Sequence, residues 1–134
     1  MKRKIIKDAH VATFKNNKFE LLQNFSILIN DNLIEKIDKF ENLDSNNAYI
    51  INAKDKIAIP GLINTHHHLS QSLTRGMKNV QNAKLFDWLV NLYKVWKNLS
   101  YEALYASSLV SLTEMAVYGC TTSTDMCYLF PQNS

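Results

Sequence analysis

No stretch of this 134-residue chain approaches the ~18 consecutive apolar residues that a membrane-spanning helix needs. The opening Met1-Lys2-Arg3-Lys4 is basic, but Ile5-Ile6-Lys7-Asp8-Ala9-His10 follows it. A secretory signal would place an apolar run of about 7–15 residues there. Cysteine is scarce. Cys120 and Cys127 lie too close for a useful scaffold disulfide and lack the CxxC spacing of a metal or redox pair. Free thiols in a reducing cytoplasm are therefore expected. Charge of one sign is also scarce, with a formal net charge of only +3. The basic residues are scattered, and none form a patch interleaved with aromatics, so no nucleic acid partner is expected. The basic start reads as a solvated chain end. No internal repeat is present.

What is present is globular in composition, with 46% hydrophobic and 20% charged residues. The pattern changes near residue 60. Residues 1–59 hold short β-rich runs separated by polar turns. His10–Phe14 alternates and ends at the turn-like Lys15-Asn16-Asn17-Lys18. Phe25–Ile29 and Leu33–Ile37 flank Asn30-Asp31-Asn32, and Asn and Asp tolerate positive φ, which is a hairpin signal. Residues 49–53 and 57–59 are further short strands. The spacing suggests a small β-sandwich, and a layer this thin is expected to dock on something else.

Residues 60–134 read strand, helix, helix, strand. Pro60 leads the apolar run Gly61–His66, a position where a strand tolerates proline. Leu85, Leu89, Leu92 and Trp96 then recur at helical spacing, and Trp88, Val95 and Leu99 widen the stripe. Ser100 is a good N-cap, with Glu102 in the first turn after it. The second helix would pack on Tyr105, Leu109, Leu112 and Ala116 and end at Gly119 as its C′ residue. Cys120–Thr124 is β-prone. Such crossovers build parallel sheets.

His66-His67-His68 closes the first of these strands. Alternation on a strand would put His66 and His68 on one face and turn His67 away. Two imidazoles so spaced can converge on one metal ion, at the strand end where barrels and open α/β sheets present their active sites. Three histidines in a polar strand end are the bland alternative. His10 has no partner pattern and reads as a surface or strand-edge histidine.

Pro60-Gly61-Leu62-Ile63-Asn64-Thr65-His66-His67-His68-Leu69 resembles the signature of the amidohydrolase superfamily. The segments His66–Gly76, Leu85-Phe86-Asp87-Trp88-Leu89 and Gly119-Cys120-Thr121-Thr122 are similar to its branch that deaminates or dechlorinates aromatic nitrogen heterocycles. Gln71–Arg75, Leu92–Trp96 and Tyr128-Leu129-Phe130-Pro131 most resemble the 8-oxoguanine deaminases, whereas Asp125-Met126 is closer to the S-adenosylhomocysteine deaminases. The resemblance implies an α/β fold: the N-terminal part of a composite β-sandwich over 1–59, and from 60 to 134 the first βα units of an incomplete (β/α)8 TIM-like hydrolase barrel.

It also implies one divalent metal ion, zinc or iron, with His66 and His68 as first-strand ligands. Gln71 matches a position where related deaminases contact the purine ring, and an amide can donate and accept there, or it is a solvated loop residue. Trp88 could wall the pocket or simply fill core, and Arg75 could contact an anionic or carbonyl group or lie on the surface. All three are thus candidates for binding a small-molecule, purine-like heterocycle. Hydrolytic deamination is the implied reaction, with methylthioadenosine, guanine or triazine hydrolysis as alternatives within the branch. A whole barrel takes about 250 residues. A catalytic zinc usually has three protein ligands. The expectation is therefore an N-terminal fragment holding no catalytic acid or base and inactive alone. It would be completed by the rest of the barrel in cis or in trans, and homo-oligomeric when full-length. A non-catalytic remnant is the alternative of another class.

Overall fold

The computed structural model describes residues 3–131. It divides into two units, Met1–Pro60 and Gly61–Ser134.

In the first unit the turns are made by asparagine and aspartate. β1 (Arg3–Lys15) and β2 (Lys18–Asn30) form a hairpin closed by Asn16-Asn17, whose φ angles are 51° and 59°. Two successive positive φ values match the twist of a two-residue hairpin turn, and asparagine adopts them at low cost. Asp31, at φ 54°, turns β2 into β3 (Leu33–Asp38). Among the described residues, all the non-glycine residues with positive φ are Asn or Asp, in a chain with only three glycines. β4 (Ala48–Asn52) and β5 (Ile57–Ala58) then pair in turn with the same edge of β1, both parallel to it. The sheet order is β3-β2-β1-β4, with β5 also on β1.

β1 is longer than the His10–Phe14 run suggests. Its register shifts between Ile6 and Ala9 and again between Ala9 and Val11. Asp8 stands at φ 60° with its N–H donated to Ser26 Oγ at 3.0 Å. These bulges break the period-2 pattern that alternation relies on. His10 accordingly lies on a central strand, half-buried, with a buried Nδ1 that has no partner. Both sheet faces carry apolar clusters, because neighbours on a strand face opposite ways. Ala9, Val11, Ile27 and Ala53 form one cluster. Ile5, Leu28 and Leu43 form the other, with Phe40 packed against it.

The second unit has the expected strand, helix, helix, strand order. β6 (Leu62–Asn64) pairs in parallel with β7 (Cys120–Ser123), and α1 (Leu85–Trp96) and α2 (Tyr101–Val117) connect them. Leu92, Trp96 and Val80 form the buried core, with Trp88, Leu89 and Leu99 packed on it. The Trp96 indole N–H donates to Thr74 Oγ1 at 3.2 Å, so burial leaves this donor satisfied. Ser100 caps α2 by accepting the Ala103 N–H at 3.2 Å. Gly119, at φ +78°, is the left-handed residue after the helix.

The buried face of α2 differs from the expected one. Tyr105, Leu109 and Leu112 are 58%, 46% and 46% exposed, while Ser107 and Ser111 are fully buried. Both serines donate to the carbonyl of Leu69, at 2.9 and 3.2 Å. The Leu69 carbonyl, in the first residue of the 3-10 turn Leu69–Thr74, thus accepts from both, and small hydroxyl side chains reach it where leucine could not. No helix among the described residues is long and apolar enough to cross a membrane.

Candidate active site

β6 stops at Asn64, two residues before the first histidine. The Asn64 side chain accepts the His66 N–H at 3.1 Å, which turns the backbone out of the strand. His66, His67 and His68 therefore lie on a bend, and strand alternation does not apply to them. The rings of His66 and His68 nevertheless meet edge to face, with centroids 5.2 Å apart. His67 is not turned away. It lines the same cleft of about 550 Å3, and its buried Nδ1 has no hydrogen-bond partner.

The cleft opens beyond the C-terminal end of β6. Gln71, Arg75 and Trp88 line it with the histidines. The Gln71 amide donates to the Tyr128 hydroxyl at 2.6 Å. Burial raises the Tyr128 hydroxyl above the ordinary phenol value, against the lowering effect of that hydrogen bond. Arg75 is held by Glu114 of α2, with Nη1 2.8 and 3.0 Å from the two carboxylate oxygens. Both side chains are largely solvated, so the pair contributes little to stability. Trp88 serves both readings open from the sequence. It packs in the core, 5.5 Å from the Trp96 ring, and it walls the cleft.

The segment after β7 contributes more than its sequence suggests. Met126 O lies 3.1 Å from His68 Nδ1, and the Met126 N–H donates to His67 O at 2.9 Å. Asp125 Oδ1 accepts the Leu69 N–H at 2.9 Å. The signal for these residues was their place at the tail of the second strand, beside the first strand's tail in any parallel pair.

A carbonyl oxygen can only accept, so the contact to Met126 puts the proton of a neutral His68 on Nδ1 and leaves Nε2 with its lone pair. That is the form a metal ligand takes. Among the described residues no group of three or more His, Cys, Asp or Glu could enclose an ion. The donor set present is thus two imidazoles, which suits zinc or iron but is short of a full coordination shell.

Residues 57–129 match the amidohydrolase family, and the chain belongs to it. It is 48% identical over 79 residues to the 8-oxoguanine deaminase of Pseudomonas aeruginosa, covering 59% of this chain and 18% of that enzyme. It is 39% identical over 127 residues to the 5'-deoxyadenosine deaminase of Methanococcus aeolicus, covering 91% of this chain and 27% of that enzyme. A mutant atrazine chlorohydrolase from Arthrobacter aurescens TC1, solved with zinc and atraton, is similar with a TM-score of 0.86 and 25% identity, over 97% of this chain and 30% of that one. The chain therefore spans less than a third of each of these proteins.

Proposed function

We propose that this chain carries the first part of the active site of a metal-dependent amidohydrolase that removes ammonia from a purine-like nitrogen heterocycle. The observation that carries this reading is the His66–His68 pair, ring centroids 5.2 Å apart, in a cleft beyond the C-terminal end of β6. His66 and His68 would hold one divalent ion, zinc or iron, and the remaining ligands and the proton shuttle would come from outside the described residues. Such an ion, when bound, supplies an activated water at neutral pH.

The other residues bind and orient the ring. Gln71 has committed one N–H to Tyr128, which leaves its second N–H to donate and its amide oxygen to accept at a ring edge. Trp88 offers an apolar wall. Arg75 stands at the rim, restrained by Glu114. In this reading the sheet over 1–59 is the N-terminal part of a composite β-sandwich, and residues 60–134 begin a (β/α)8 barrel. Substrate, metal and the rest of the barrel are then the partners, in a reducing cytoplasm.

An 8-oxoguanine-like substrate is favoured by the 48% identity over 79 residues. A 5'-deoxyadenosine-like substrate is the second reading, because that similarity extends over 127 residues. The test is a substrate panel on the chain completed by the remaining barrel, covering 8-oxoguanine, guanine, S-adenosylhomocysteine, 5'-deoxyadenosine and a hydroxytriazine. Ammonia release from one purine-type substrate, lost in His66→Ala and His68→Ala, is expected. Activity unchanged in both variants contradicts the reading. The metal-loaded 134-residue chain alone is expected to release no ammonia, and release by it contradicts the split of the site.

A further inference from the structure

The two strand ends below the cleft are joined by a ladder of bonds. The Thr124 N–H donates to Asn64 O at 3.0 Å, and the Met126 N–H donates to His67 O at 2.9 Å. Between them Asp125 Oδ1 accepts the Leu69 N–H, and Met126 O faces His68 Nδ1. The two peptides that flank the Leu69 Cα are thus both held, the His68–Leu69 N–H by Asp125 and the Leu69 C=O by Ser107 and Ser111. His68 forms the first of these peptides, so fixing Leu69 fixes the backbone that aims the His68 ring.

We propose that Asp125 is a positioning residue for the histidine pair. By anchoring the Leu69 N–H, it keeps the Met126 carbonyl in line with His68 Nδ1. This fixes the Nδ1–H tautomer and leaves Nε2 as the ligand atom. The inference deepens the proposed function and rests on it for the use made of Nε2. The carboxylate acts through a peptide and never touches the ion. A partner of this kind that orients a histidine typically changes metal affinity about 10–100-fold when removed.

The test is nitrogen-15 NMR of the His68 imidazole in the metal-free, full 134-residue chain, at a pH where it is neutral. Wild type should show a protonated Nδ1 and a bare Nε2. Asp125→Asn keeps an acceptor oxygen and should preserve that signature. Asp125→Ala should mix the two tautomers, and zinc affinity should fall about 10–100-fold. A purely structural role would leave the tautomer unchanged in any folded variant.

A wild type with Nε2–H or mixed tautomers overturns the proposal, as does a folded Asp125→Ala with the wild-type signature. If Asp125→Ala does not fold, Asp125→Glu moves the acceptor and should give the mixed signature instead. An unmixed signature there overturns the proposal too. Tautomers as expected, with no zinc response at His66 and His68, support the positioning role and remove the metal-site reading.

Discussion

Asp38 ends β3 with three donors on its carboxylate. Asn42 Nδ2 lies at 3.0 Å, Lys36 Nζ at 2.9 Å and the Lys39 N–H at 2.7 Å. The hydrogen bonds from Asn42, Lys36 and Lys39, in that order, lower its pKa from 3.8 to about 2. A depressed folded pKa means the carboxylate contributes stability above the unfolded value of 3.8, and that contribution is lost as pH falls through about 2. Asp38→Asn is therefore expected to flatten the acid limb of stability against pH in that window, read by urea melts. Superimposable limbs would contradict it. The histidine pair was legible at this scale from spacing, though the path to it differs. The rings meet across a bend made by Asn64, and strand alternation plays no part. The Gln71–Tyr128 bond joins residues 57 apart, and no local pattern carries such information.

Helix starts and stops are local chemistry, and the sequence shows them well. Ser100 caps α2, and Gly119 leaves it. Ser100→Ala is expected to cost about 1 kcal/mol in thermal or urea unfolding. No change would contradict the cap. Gly61 makes a harder demand. A β-carbon there would collide with the Thr121 side chain, across the parallel pair. Gly61→Ala should destabilise by about 1–3 kcal/mol, and Thr121→Gly in the same chain should restore part of the loss. Equal stability of wild type and Gly61→Ala would remove the argument. The face of α2 was not legible, because apolar periodicity names the stripe that wants burial without saying where its partner lies. The serine stripe faces the 3-10 turn, and nothing local to α2 announces that partner. The 13-residue length of β1 was hidden by its bulges.

At the scale of the molecule, apolar residues stand exposed where a larger protein would cover them. Leu62 and Ile63 of β6 and Tyr105, Leu109 and Leu112 of α2 are all exposed. Open strand edges and apolar faces of this kind favour association. The chain alone should therefore be poorly soluble and associate in ultracentrifugation. A monomer that stays monodisperse as concentration rises would count against this reading of the exposed faces. The similarities to relatives several times longer agree with this picture. The central claim is that His66 and His68 together hold one divalent ion. Its most direct measurement is a zinc titration of the 134-residue chain, followed by the imidazole NMR signals of both residues. The account predicts one zinc per chain that shifts both signals and is lost in His66→Ala and His68→Ala. Zinc bound equally well by both variants, or no response from either histidine, would contradict it.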